Sequence, residues 1–289
     1  SEAVDIEGLL FDPAGVEDLN LVAYNNDYSL LWKKRFICDQ AQVPPNGLLM
    51  NSDEEIYMIM NFDGTCFIDG TTILTQQGMG DAVLVQLEAS GAGAILNYIP
   101  FNGEDVQHIG AIHLPDSDTI LLGGYFFDSY TLRLEEYQAP DEETRNYCLL
   151  ASLHTTDLKP IWTVHLQGCR IPSTSNPQQT FITSQSTTKK IAIASDFSGT
   201  LSIGSYSTTV SGIGSDVFWS IFSSEGDLLN TKTLNGTGKD YLYGTVDLGD
   251  GHHISSGIFS ETITYENLSE TIAPDNNGFY ILRSQPFTP

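Results

Sequence analysis

Apolar positions along this chain fall in runs of about five to eight residues, rich in β-branched and aromatic side chains. The runs are separated by turns of Gly, Asp, Asn and Ser. Spacing at i, i+3, i+4 and i+7 is not sustained anywhere, so the runs read as strands and the chain as all-β. The stretch from Ile191 to Glu270 states the pattern most plainly. An apolar strand ends in Asp196-Phe197-Ser198-Gly199-Thr200, a second alternating strand follows, and Gly214-Ser215-Asp216 leads into Val217–Phe222. Glu225-Gly226-Asp227 turns the chain back into Leu228–Leu234. Gly236-Thr237-Gly238-Lys239-Asp240 then opens a new cycle, in which Ser256-Gly257-Ile258-Phe259-Ser260 repeats the form of Ser195–Gly199.

The cycle recurs along the chain. Asp18, Asp81, Asn146, Asp216 and Asn277 each enter an apolar run, at spacings of 63, 65, 70 and 61 residues. Each of the first four runs is followed by a polar turn and another strand, and Trp32 and Trp162 sit at matching places in two of these. A sheet of four or five strands cannot bury its faces alone, so several must pack on one another. Radial packing of such sheets is a β-propeller. The expected fold is one β-propeller domain over residues 1–289, of about four or five blades. Its repeats run at about 18–80, 81–145, 146–215 and 216–276, with partial units at both ends. Both partial units hold a main strand. Either the termini close the ring irregularly, or one terminal strand is spare and adds to a neighbouring subunit.

Gly80-Asp81-Ala82-Val83-Leu84-Val85-Gln86-Leu87-Glu88-Ala89-Ser90-Gly91 and, more loosely, Thr119-Ile120-Leu121-Leu122-Gly123-Gly124-Tyr125 carry a family likeness. They resemble the repeats of bacterial β-propeller proteins of the SBBP type. That resemblance implies a propeller fold and a secreted or surface setting, and it implies no catalytic residues. The third repeat departs most from it. Ile171–Gln185 is a Ser/Thr/Pro/Gln-rich insert, and Glu142–Asn146 replaces the Gly-rich turn.

Charge narrows the function classes. Against 37 acidic residues stand 12 basic ones, a formal net charge of −25. Nucleic acid and anionic membranes would be repelled, and no apolar run approaches the 18 residues of a membrane span. A solubilising extracellular surface is the first reading of this charge, and capture of a cation or basic partner the second. Lys33-Lys34-Arg35, within a predicted strand, reads as an edge guard. Ser1-Glu2-Ala3-Val4-Asp5 reads as a mature or trimmed N-terminus, which suits export.

The four cysteines form no Cys-x-x-Cys pair, which argues against zinc. The turn near Thr155–Lys159 lies midway between Cys148 and Cys169, so a hairpin would bring these two together. Cys38 and Cys66 share a repeat and are the second expected disulfide, with four buried thiols as the alternative. Asn235 and Asn267 stand in glycosylation sequons, which matter in a eukaryotic secretory pathway.

The search for chemistry returns little. His108 and His113, five apart on one predicted strand, face opposite ways, as do the adjacent His252 and His253. His154 and His165 read as cross-strand neighbours. No His-Glu-x-x-His, Gly-x-Ser-x-Gly or phosphate-binding loop occurs. Calcium is the one cofactor the oxygen-rich loops suggest. Its candidates are Asp116 with Asp118, Asp247 with Asp250, and Asp53-Glu54-Glu55, none in a twelve-residue calcium loop. Tyr125-Phe126-Phe127 and Tyr241 with Tyr243 offer either sugar-stacking faces or core packing.

These readings add up to a non-enzymatic, extracellular or cell-surface structural and interaction protein, self-assembling through terminal strand exchange. Its partners would be protein, itself included. A carbohydrate- or protein-binding propeller module is the alternative. A polysaccharide lyase or hydrolase is a third reading, without a motif in its favour.

Overall fold

The computed structural model describes residues 4–6, 9–11, 19–42, 47–68, 73–75, 80–104, 107–127, 129–132, 135–138, 147–169, 180–185, 189–210, 214–248, 252–265, 268–271 and 277–283. The chain forms two compact units, Ser1–Ile109 with Phe127–Gln138, and Gly110–Phe126 with Ala139–Pro289. Every regular element among the described residues is a strand, so the protein is all-β, built of large antiparallel sheets.

In chain order, β1 (Val4–Ile6) and β2 (Leu9–Phe11) pair as a hairpin, and β3 (Leu19–Tyr24) pairs with β4 (Leu30–Gln42). Then come β5 (Leu48–Met50), β6 (Glu55–Phe67), β7 (Ile73–Thr75), β8 (Asp81–Glu88) and β9 (Ile95–Asn102). After them run β10 (Gln107–His113), β11 (Thr119–Phe126), β12 (Ser129–Leu132), β13 (Glu135–Gln138), β14 (Tyr147–His154) and β15 (Pro160–Cys169). Next are β16 (Phe181–Gln185), β17 (Lys190–Ile203), β18 (Tyr206–Thr209), β19 (Asp216–Phe222) and β20 (Leu228–Gly236). The last are β21 (Tyr241–Asp247), β22 (His253–Ser260), β23 (Thr262–Tyr265), β24 (Leu268–Thr271) and β25 (Asn277–Arg283).

One module organises them, a meander of strands a, b, c and d. It is seen whole as β5–β6–β8–β9, β10–β11–β14–β15 and β16–β17–β19–β20. These are the second, third and fourth modules. The first shows c and d (β3–β4), and the fifth shows a, b and c (β21–β22–β25). The Asx-anchored runs of the sequence are the c strands. The sequence period is therefore out of phase with the sheets, taking c and d from one module and a and b from the next. In the second, third and fourth modules c is buried along almost its whole length. That burial explains its near-continuous apolar run, whereas β9 alternates between solvent and core. Among the described residues, three clusters of buried side chains stand out. One surrounds Phe36, Met58 and Val83 in the first unit, and two surround Phe218 and Trp219 in the second.

Each d strand outruns its own module and pairs with the next one. Cys38–Gln42 of β4 pair with β6, and Phe101–Asn102 of β9 with β12. Gln167 and Cys169 of β15 pair with β17, and Asn235–Gly236 of β20 with β23. These junction ladders merge the modules into a nine-stranded and an eleven-stranded sheet. They also correct one reading of the sequence. The strand expected to end at Asp196–Thr200 runs on to Ile203 as β17. Gly199, at φ +70°, bends it where its partner changes from β19 to β18.

The two tryptophans explain their matching places. Trp32, on the d strand of the first module, donates its indole N–H to the Ala89 carbonyl in the c–d turn of the second (2.7 Å). Trp162 does the same from the third module to Ser224 in the fourth (2.8 Å). A glycine with positive φ lies beneath each ring, and a Cβ on Gly93 or Gly226 would stand 2.9 or 2.8 Å from ring carbons. Lys33-Lys34-Arg35 lie in the stretch of β4 that pairs with β3, ahead of the residues that pair with β6.

The two disulfides do different jobs. Cys38 and Cys66 are direct partners in the β4–β6 ladder, so their bond lies across a junction. Cys148 stands opposite Leu166, and the bond to Cys169 closes within the third module after Gly168, at φ +92°, kinks the strand.

Two predictions follow from this packing. Gly226→Ala should destabilise by about 1–3 kcal/mol in urea titrations, while Gly204→Ala, with nothing within 4 Å of its Cβ, should lose about 1 kcal/mol at most from its positive φ alone. Peptide mapping without reductant should recover Cys38–Cys66 and Cys148–Cys169. Reducing each 28- or 21-residue link should lower stability by about 2–4 kcal/mol.

Candidate functional site

Three features of the molecule could carry function, and each arises from the module's own geometry. The first is an open cleft in the second unit, where the a–b turns of the third and fourth modules meet residues of the third module's c and d strands and of the fourth module's c–d turn. Pro115, Ile161 and Ile191 form its apolar wall, and Ser152, Ser184 and Ser224 present hydroxyls. Lys189, held at φ +56° in the a–b turn, places its ammonium 3.7 Å from the Asp116 carboxylate. The neighbouring His113 ring lies 2.8 Å from the Ser184 hydroxyl through Nε2. The cleft can hydrogen-bond a small polar ligand over an apolar floor.

The second feature is a group of buried carboxylates. Asp196, Asp216 and Asp240 are all at most 4% exposed. Asp196 accepts the Leu242 amide (2.8 Å), and Asp216 accepts the Gly236 amide (3.0 Å). One Asp216 oxygen and both Asp240 oxygens have no hydrogen-bond partner. Burial pushes Asp216 up to about 6. Burial, with the charges of Asp216 and Asp196, pushes Asp240 up to about 8. Nothing in the sequence pattern points to this group, because its members lie 20 and 24 residues apart, on β17, at the start of β19 and just before β21.

The third is an edge. β25 pairs with β22 and with no other described strand, and Phe279 and Ile281 on it are 63% and 71% exposed. β3 is likewise paired on one side.

The calcium candidates do not converge. Asp116 accepts the Asp118 amide (3.0 Å) and faces Lys189, and Asp118 accepts the Ser117 hydroxyl, which is turn chemistry. Asn51 organises the 53–55 tip by accepting the Asp53 and Glu55 amides. Asp250, Asn267 and the Asp247 side chain lie outside the described residues, as do the 142–146 turn and most of the 171–185 insert. Asn235 is half-buried in the β20–β23 ladder. Among the described residues no group of three or more His, Cys, Asp or Glu side chains is placed to hold a metal ion. No helix among them is long and apolar enough to cross a membrane.

The histidines separate too. His165 pairs with Leu149, while His154 stands at the tip of the hairpin and donates its amide to the Lys159 carbonyl (2.9 Å), so they are not cross-strand neighbours. His165 packs edge-on against Phe126, and burial lowers its pKa. Of the aromatic runs, Tyr125 and Phe126 are core, while Tyr243 is 45% exposed.

No family model matches the chain, and no curated protein matches it.

The His108 imidazole is pushed down to about 4 by burial. The folded chain therefore holds it neutral while the unfolded chain protonates it near 6.5, so acid favours unfolding across that window. This loss should reach roughly 3 kcal/mol by pH 4. Comparing urea midpoints of wild type and His108→Gln between pH 7 and pH 4 checks it, and the variant should lose less stability in acid.

Proposed function

We propose that this chain is a non-enzymatic structural and interaction module of an extracellular or cell-surface protein, built from propeller-type blades and self-associating by strand addition. The observation that carries the reading is β25. Three modules hold four strands, while the fifth offers strands a, b and c and leaves the edge of c open. The c strands of complete modules are buried, yet β25 alternates half-buried and exposed residues, with Phe279 and Ile281 outward. An open apolar edge of this kind is a template for main-chain pairing. The occupant is a second copy of the chain, whose β3 pairs with β4 and with no other described strand, and carries Leu19, Leu21 and Ala23 at alternate positions. Pairing of two different edges is heterologous, and such a contact repeats into rings or filaments. Two disulfides suit an oxidising compartment, and the recurrence of a four-stranded meander supports the propeller reading.

A second reading, a glycan- or small-ligand-binding module, is favoured by the cleft between Lys189, Asp116 and Ser152. Hydroxyls and one ion pair over Ile161 and Ile191 suit a polar ring with an apolar face.

Light scattering after size exclusion should show mass rising with concentration above the 31.7 kDa chain. Phe279→Lys with Ile281→Lys should abolish that rise and leave the far-ultraviolet dichroism unchanged. A wild-type chain that stays monomeric at all concentrations, while a glycan array gives hits lost in Lys189→Ala, would move the assignment to the second reading.

A further inference from the structure

The junction between the fourth and fifth modules repeats three hydrogen bonds of the junction between the second and third. Asp240 N–H donates to the Ser215 carbonyl (2.7 Å), as Gln107 N–H donates to the Gly80 carbonyl (2.8 Å). Leu242 N–H donates to Asp196 Oδ1 (2.8 Å), as Ile109 N–H donates to Asn61 Oδ1 (2.9 Å). Gly236 N–H donates to Asp216, as Gly103 N–H donates to Asp81. The side chains differ at two of the three positions. Asn61 and Gln107 are amides, and Asp196 and Asp240 are acids.

The difference matters at Gln107. Its Nε2 donates to the Ser129 carbonyl (3.0 Å), and both groups lie against Gly103. At the other junction the Asp240 carboxyl and the Thr262 carbonyl lie against Gly236 in the same way; a Cβ there would stand 2.6 Å from Asp240 Oδ2 and collide with the Thr262 oxygen. An amide donates a hydrogen across this gap. A carboxylate cannot, and two acceptors would face one another in a buried place.

We propose that Asp240 holds a proton in the folded chain at neutral pH and donates it to the Thr262 carbonyl, so that this junction is a latch that acid tightens and base loosens. Burial and the acidic groups around Asp240 favour the neutral form. Asp216 faces it from β19, Asp196 from β17 and the Tyr280 phenol from β25. The Ser260 amide of β22 offsets part of this effect but is bonded to the Lys239 carbonyl (3.1 Å). The one adjacent cation, Lys239, is exposed. The Tyr280 hydroxyl donates to the Tyr241 carbonyl (3.1 Å), which ties β25 to the same strand. A carboxyl raised to about 8 by burial and by these carboxylates fits the assignment.

The sign follows from linkage. The unfolded chain releases this proton at the ordinary aspartate value of 3.8, and the folded chain keeps it to about 8. Between those values folding takes up a proton, so raising the pH favours unfolding.

The test compares wild type with Asp240→Asn, whose amide can donate as Gln107 does. Folding constants from urea titrations between pH 5 and 9, in the presence of a chelator, give the ratio of variant to wild type. It should rise about tenfold per pH unit up to pH 8 and level off above. Taking the ratio cancels His108 and other groups common to both chains. A ratio independent of pH overturns the proposal. Carbon-13 labelling of aspartate carboxyls in the wild type gives a second reading that needs no variant. A buried carboxyl protonated at pH 7 supports the latch, and none protonated overturns it. Stabilisation of wild type by millimolar calcium chloride at pH 7, absent in Asp240→Asn, would also overturn it, by placing a metal where the proton is assigned.

Discussion

A four-stranded antiparallel sheet ends in an outer strand whose free amides and carbonyls must be paired, covered or guarded by charge. In this chain the d strand carries on past its own c partner and is paired by the b strand or accessory hairpin of the module that follows. Much else depends on that continuation. It sets where each b strand must bend, hence Gly199 and its positive φ. It brings the c–d turn of one module under the tryptophan of the module before. It also creates a polar crossing point at each junction, where main-chain groups from three strands meet away from water and side chains must satisfy them.

Those crossing points account for much of the Gly, Asx and Ser punctuation in the sequence. The aspartate that opens a c strand accepts the amide of a glycine at the end of d, as Asp81 does with Gly103 and Asp216 with Gly236. The Asx on strand b accepts an amide from the next a strand. Amide or acid at such a place is a small change in the sequence and a large one in physics. An amide supplies both a donor and an acceptor, while an ionised acid supplies acceptors alone.

The sequence made strands legible because burial on both faces leaves an apolar run that no helix would space in that way. The c strands were placed nearly to the residue for this reason, and the tryptophans were seen to be equivalent. What it did not reveal was pairing between modules. Asn235 and Thr264, or Gln167 and Ser202, are polar, lie tens of residues apart and carry no alternation of their own. The cysteines were approachable through the hairpin midpoint, although Gly168 and not simple opposition brings Cys169 to Cys148. The candidate carboxylates were hidden in an acidic chain, where Asp196, Asp216 and Asp240 look like all the others until burial separates them. Asp116 and Asp118, more obvious in the sequence, accept hydrogen bonds within their own turn.

The placement of the two disulfides also sets a path for mechanical load. A pull on the chain reaching the first junction meets the Cys38–Cys66 bond, which spans from one module to the next, so those two modules cannot shear apart without breaking a covalent link. The Cys148–Cys169 bond closes a loop inside one module and leaves the ladders on either side of it to hydrogen bonds. Force would therefore concentrate on the later junctions, where the β15–β17 and β20–β23 ladders each have two register pairs among the described residues. The chain is reinforced toward its N-terminal end and compliant toward its C-terminal end, a gradient of stiffness written by where four cysteines fall relative to a repeating sheet.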